Sequence, residues 1–298
     1  MQNTKCLVVT YGYFGDIMFA TSLAQTLKRQ YQQVDYLIGF PQMKELVENN
    51  PSIDTVLVSE VPGPKPTKYV AGYDRVIELG PLNYQVTPCE EYYQQACLDY
   101  AGQQFQLYTN AYYDAIAKRS ISYLHTEYNK PVIGIMSNWQ SKTYIFTTEQ
   151  YEAGIDVPGL GYGGSHRDVQ SIIDGLAEHF TMIPIGFDSN TSQQHTLSVA
   201  VNDKKSLLYE ASLLKYCDAF IGTEGGLANL AAGVGCRTIL TGDFIHQLYG
   251  PNGCIKKIAD PQLGPNKYFP ELGHLMLNPY YKDEEVINEI IKGFNGEL

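Results

Sequence analysis

No apolar run in this 298-residue chain approaches the ~20 residues that a helix needs to cross a bilayer, which argues against a membrane-spanning helix. No charged, apolar and small-residue leader precedes the first strand-like segment, so no signal peptide is expected. Cysteine is sparse and scattered, at positions 6, 89, 97, 217, 236 and 254. None of these falls in a C-x-x-C pair or a metal-ligand spacing, so neither a redox motif nor a metal cluster is expected. They read as buried thiols of a reducing cytoplasm. Positive charge is short: 21 Lys and Arg stand against 32 Asp and Glu, a net charge of −11. That argues against sequence-independent binding to nucleic acid or to anionic membrane. The small basic clusters are Lys65 with Lys68, Lys118-Arg119, Lys204-Lys205 and Lys256-Lys257; solvated surface is the plainer reading of each, and a local basic groove is the alternative. There is no G-x-S-x-G elbow, no phosphate loop ending in Lys-Ser/Thr, and no solenoid repeat.

What is present is enough apolar content, 44%, to bury a core, in a length that suits two domains. Strand-like runs alternate with helical patterns. Cys6–Thr10, Val34–Ile38, Thr55–Val58 and Arg75–Leu79 read as strands. Helices are predicted between them, one with Ala20, Leu23, Ala24, Leu27 and Tyr31 on one face, then over 90–101 and 111–124. Val61-Pro62-Gly63-Pro64-Lys65-Pro66 reads as a stiff loop. Asn129-Lys130-Pro131 reads as a linker, after which the pattern restarts at Val132–Ile135. Further strands are predicted over Met182–Ile185, Leu197–Val201, Asp218–Thr223 and Thr238–Thr241, with helices from Ser165, over 205–216 and over 283–294. The alternation implies parallel sheets with helical crossovers.

Two junctions carry chemistry. In Phe220-Ile221-Gly222-Thr223-Glu224-Gly225-Gly226-Leu227-Ala228-Asn229, a strand meets two glycines and a helix of small residues. Backbone N–H groups at such a helix start carry roughly +0.5 charge and suit a phosphate. Gly225, Gly226 and Leu227 are therefore expected to hold phosphate, with Glu224 facing a sugar or ribose hydroxyl; a tight turn with a capping Glu is the plainer alternative. Asn229 either bonds phosphate or sugar, or is a half-buried helix asparagine. The other junction, Thr10-Tyr11-Gly12-Tyr13-Phe14-Gly15-Asp16, follows the first strand. Gly12 and Gly15 permit a tight turn and close approach to a ligand. Asp16 is expected ionised and stands where a helix N-cap would also stand. A nicotinamide-dinucleotide fingerprint lacks its first glycine here, Thr10 taking that place. Asp188 is either a partner of ribose hydroxyls or a surface-turn residue. Asp243, His246 and Tyr249 are candidates for the nucleotide pocket, and His166 and Arg167 open a helix beside a Gly-rich loop.

These segments resemble family-nine glycosyltransferases, the heptosyltransferase family. Gly15-Asp16-Ile17 through Leu27-Lys28 is similar to that family's opening motif, and Asn50-Pro51-Ser52-Ile53-Asp54-Thr55-Val56 to a second. Ser141-Lys142-Thr143-Tyr144 with Glu149 is a looser match. Gly222 to Gly235 and Leu248-Tyr249-Gly250-Pro251 complete the order. The chain departs from the family at Glu224, where Asp is usual, at Asn229 for His, and at Tyr144 for Trp, and it is shorter than most members.

The resemblance implies a GT-B fold: two doubly wound α/β domains, 1–128 for the acceptor and 129–281 for a nucleotide-diphosphate sugar, facing across a cleft. Residues 282–298 would pack back on the first domain as a helix. It implies inverting, metal-independent transfer of a sugar to an acceptor hydroxyl, with no cofactor beyond the donor. Asp16 would be the general base, and Lys142 would neutralise the leaving diphosphate. Gly15, Asp188, Glu224, Gly225, Gly226, Leu227, Asn229, Asp243 and Tyr249 complete the donor side. Tyr13, Phe14, Lys65 and Lys68 are assigned to the acceptor. A glycan is the first acceptor in view. Other readings of the same fold are transfer to a hydroxylated base in DNA, and a nucleotide-sugar epimerase or non-catalytic binder. A dinucleotide oxidoreductase is a separate alternative.

Overall fold

A computed structural model describes residues 4–10, 12, 14–59, 69–82, 86–136, 169–186, 206–222, 225–240, 275–277 and 282–295. The chain divides into two compact units, Met1–Asp114 with Ser206–Ser212, and Ala115–Lys205 with Leu213–Leu298. The division falls inside a helix rather than at the Asn129-Lys130-Pro131 turn.

The first unit is built on β1 (Lys5–Thr10), β2 (Gln33–Ile38), β3 (Thr55–Val58) and β4 (Arg75–Leu79). They form one parallel sheet in the order β3-β2-β1-β4. The central strand β1 is apolar on both faces, and Cys6 to Val9 are fully buried. The apolar face read from Ala20 to Leu27 forms α1 (Phe14–Ala20) and α2 (Ala24–Lys28), joined by a 3-10 turn at Thr21–Leu23. Two buried tyrosines are tied to this join. The Tyr36 hydroxyl donates to the Ala20 carbonyl at 2.9 Å, and the Tyr93 hydroxyl to the Ser22 carbonyl at 2.9 Å. A buried carbonyl needs such a partner, and tyrosine supplies both ring area and a donor. A short helix, α3 (Lys44–Val47), precedes β3.

The next helix, α4 (Pro88–Gln95), is shorter than the predicted 90–101. Thr87 caps its start, its hydroxyl accepting from the Glu90 N–H at 3.1 Å. Its end is fixed by Cys97, which takes a left-handed backbone at φ 50°. The Cys97 N–H donates to the Gln94 carbonyl and the Leu98 N–H to the Tyr93 carbonyl, the paired bonds of a Schellman cap.

Helix α5 (Ala111–Tyr128) ends at Asn129, also left-handed at φ 49°, and Pro131 leads into β5 (Val132–Met136). The predicted linker is thus a helix cap. The second unit continues with α6 (Val169–Leu176), β6 (Thr181–Ile185), α7 (Leu207–Tyr216), β7 (Ala219–Gly222), α8 (Gly226–Gly233), β8 (Thr238–Leu240), β9 (Leu275–Met276) and α9 (Asp283–Asn295). The sheet order is β6-β5-β7-β8-β9, parallel throughout. The predicted strand Leu197–Val201 lies outside the described residues.

Ile133, Ile135, Ala219, Ile221 and Ile239 bury one face of this sheet against Ile172, Ile173 and Leu176 of α6 and Val286 and Ile290 of α9. The sequence reading placed that last helix on the first domain. Its apolar stripe packs instead into the second unit, with the Phe294 ring tilted against that of Phe180, their centroids 4.7 Å apart, and Arg237 donating to the Gly293 carbonyl at 3.0 Å. On the opposite face Gly134 lies so close to Leu214 of α7 that a Cβ would sit 2.9 Å from Leu214 Cδ2. Helices therefore cover both faces, as the βα alternation requires. Among the described residues no helix is long and apolar enough to cross a membrane.

Candidate functional site

In an open parallel sheet, ligands bind beyond the carboxyl ends of the strands, where the strand order reverses. The first sheet reverses between β1 and β4, because β2 and β3 lie to one side of β1 and β4 to the other. Thr10 and Leu79, paired in register, end those strands. Gly12 and the first turn of α1 follow directly. Asp16 sits in that first turn, half-buried, with Phe14 and Gly15 before it. The Phe14 ring lies 5.7 Å from that of Phe40, just past the end of β2. Phe14, Gly15 and Asp16 are thereby gathered at one switch point. Gly12 lies directly against Asp16: a Cβ built on it would overlap Cβ, Cγ and Oδ2 of the aspartate.

The second sheet reverses between β5 and β7. Gly222 ends β7 beside Met136 of β5, and a Cβ at Gly222 would stand 2.9 Å from the Met136 Cβ. The bare glycine lets the two strand ends close together. Gly225 then takes φ 150° and ψ −163°, a region essentially reserved to glycine. Among the described residues no atom lies within 4 Å of where its Cβ would point, so the glycine serves the backbone conformation. α8 starts at Gly226, with no side-chain cap and no acidic residue in its first turn. The Asn229 N–H is the first to turn inward, donating to the Gly225 carbonyl at 3.0 Å. Gly225, Gly226, Leu227 and Asn229 are half-exposed and adjacent at this second switch point, while Ala228, Leu230, Ala231 and Ala232 are buried and let the helix lie close on the sheet. A helix start whose N-cap residue is a glycine, with no side chain of its own to occupy the N–H groups, suits an anion.

The other candidates, Tyr13, Lys65, Lys68, Lys142, Asp188, Glu224, Asp243 and Tyr249, lie outside the described residues, as do His166, Arg167 and His246. Lys118 and Arg119 sit exposed on α5. Among the described residues no three His, Cys, Asp or Glu side chains gather as metal ligands would. The described cysteines Cys6, Cys89, Cys217 and Cys236 are buried and unpaired, and Cys97 is exposed. Burial pushes the Cys6 thiol up to about 11 and the Cys89 thiol to about 12, so both are protonated packing groups at neutral pH. Sequence reasoning found both turns. It missed that Gly12 makes room for Asp16, because that contact crosses a turn whose geometry no spacing rule gives.

No family model and no curated protein matches this sequence. Solved structures match it over its full length. It is similar to the family-nine glycosyl transferase of Veillonella parvula, with a TM-score of 0.61, 13% identity, and 100% of this chain and 98% of that one covered. It is similar to E. coli ADP-heptose lps heptosyltransferase II, with a TM-score of 0.59, 15% identity and 99% of each chain covered. The chain has the fold of the family-nine glycosyltransferases. E. coli heptosyltransferase WaaC with ADP-2-deoxy-2-fluoro heptose also matches, at a TM-score of 0.55, 12% identity and 99% coverage of each chain. With identities this low, the likeness is of the fold alone, and this chain carries two parallel α/β sheets. The expected GT-B architecture is present at that level.

Proposed function

We propose that this chain is an inverting, metal-independent glycosyltransferase that moves a sugar from a nucleoside-diphosphate donor to an acceptor hydroxyl. The observation that carries the reading is an aspartate in the helix turn at one switch point and a helix start with a glycine N-cap at the other, in a chain with the fold of the family-nine glycosyltransferases. The donor's diphosphate would lie on the N–H groups that open α8, with Lys142 as the neutralising cation and Glu224 on a sugar or ribose hydroxyl. The similar E. coli enzymes carry ADP or ADP-heptose in their names, so an ADP-sugar is the first donor to test.

The chemistry follows from the residues. The Asp16 carboxylate accepts the proton of the acceptor O–H. The acceptor oxygen attacks the anomeric carbon from the face opposite the diphosphate. The bond from that carbon to the diphosphate oxygen breaks, and its electron pair leaves as negative charge on the nucleoside diphosphate. Fixed N–H groups and a cation stabilise that growing charge more in the transition state than in the ground state. A well-placed base contributes ~10²–10⁴ in rate. Tyr13, Phe14, Lys65 and Lys68 are assigned to the acceptor side, and the acceptor is read as a glycan. The reading requires the two turns to meet one substrate. Asp188, Asp243 and Tyr249 would complete the donor pocket.

A thermal-shift panel of nucleoside diphosphates tests it. A true ligand at ~100 times its dissociation constant stabilises by about 2.7 kcal/mol. ADP is expected to raise the melting temperature, and AMP and adenosine to do so much less. A panel in which no nucleoside diphosphate shifts the transition would end the reading.

A further inference from the structure

Gly12 is packed directly against the first turn of α1. What a side chain there would meet first is Asp16. The three atoms nearest a built Cβ are Cβ, Cγ and Oδ2 of that one residue. The overlap includes the Asp16 Cβ, whose position the helix backbone fixes, so a change of rotamer cannot relieve it. The turn after β1 is thus closed down on the aspartate: the bare Cα of Gly12 forms the wall against which the carboxylate rests. A carboxylate at the end of a short side chain has few rotamers, and one occupied wall removes some of them.

We propose that Gly12 is a positioning residue that sets where the Asp16 carboxylate stands, and that any side chain at position 12 displaces it. This rests on the reading of Asp16 as the general base, and its test separates the two. A misplacement of about 1 Å in a catalytic group costs on the order of 100-fold in rate. Substrate binding elsewhere in the chain is untouched by it.

The experiment is a double-mutant cycle on the full chain with two readouts. The first is the urea midpoint. Gly12→Ala lowers it in the wild-type background and leaves it nearly unchanged in Asp16→Gly, because the overlapping atoms are then gone. If Gly12→Ala fails to fold, the Gly12→Ala/Asp16→Gly chain still folds. Equal costs in both backgrounds, or a double variant that does not fold, overturn the proposal. The second readout is hydrolysis of ADP-heptose to ADP and free heptose, water standing in for the acceptor hydroxyl, followed as ADP release with ADP affinity measured alongside. Gly12→Ala lowers release at least ~10-fold with affinity within about two-fold. In the Asp16→Asn background it lowers release no further. A loss of affinity equal to the loss of rate contradicts a positioning role. Full activity in Asp16→Asn sinks the general-base reading, and the stability cycle still decides whether Gly12 holds that side chain.

Discussion

At the scale of single residues, two glycines do different work. Gly12 provides space for a neighbour, and Gly225 provides a backbone conformation. The distinction makes a prediction for Gly225. Alanine there meets no steric neighbour among the described residues, so the cost they impose is conformational. Forcing a Cβ residue into that region costs ~1–3 kcal/mol or makes the turn rearrange. Gly225→Ala is expected to abolish most of the ADP-induced thermal shift while the chain remains folded. An unchanged ADP shift would show that the turn does not hold the ligand. The positions of Asp16, Gly225 and Gly226 were legible in the sequence, because a strand, glycines and a helix start in succession have few geometries open to them. Their side-chain neighbours were not legible. The contact between Gly12 and Asp16 depends on how the turn folds back, which neither periodicity nor composition encodes.

Elements show the same division between pattern and geometry. β3 and β4 were read residue for residue, because short β-branched and aliphatic runs between turn residues leave little choice. The helix predicted over 90–101 overshoots by six residues its end at Gln95. Ala96, Cys97 and Tyr100 continue the apolar spacing, but Cys97 takes the left-handed position where a stop signal would ordinarily be glycine. A non-glycine residue there is strained by roughly 1–2 kcal/mol. Cys97→Gly is therefore expected to stabilise the chain by about 1 kcal/mol, read as a rise in urea midpoint. A fall would mean that the strain is relieved by something the cap geometry does not show. β9 escaped the sequence reading because it is two residues long and, among the described strands, pairs only with β8. The amphipathic stripe of α9 was legible and its docking surface was not. Burial of apolar area is non-directional, and the stripe fits the core of its own unit, beside α6.

For the whole molecule, the repeated βα order announced two parallel sheets, and both are present. The unit boundary differs from the predicted one because α5 runs through a three-residue cap directly into β5. His125 of α5 lies 3.3 Å from Asp218, whose carboxylate also accepts from the Val132 N–H at 2.7 Å. That ties the end of the helix to the start of two strands, so most of α5 belongs with the second unit. The proposed division of labour, donor on the second unit and base on the first, separates two quantities that a single-site enzyme would mix. The measurement that tests it most directly is donor affinity and the hydrolysis of ADP-heptose to ADP and free heptose, water serving as the acceptor hydroxyl, taken together on the wild-type chain and on Asp16→Asn. The account predicts affinity within a few-fold and release slower by at least ~100-fold. Wild-type release rates in Asp16→Asn would contradict it.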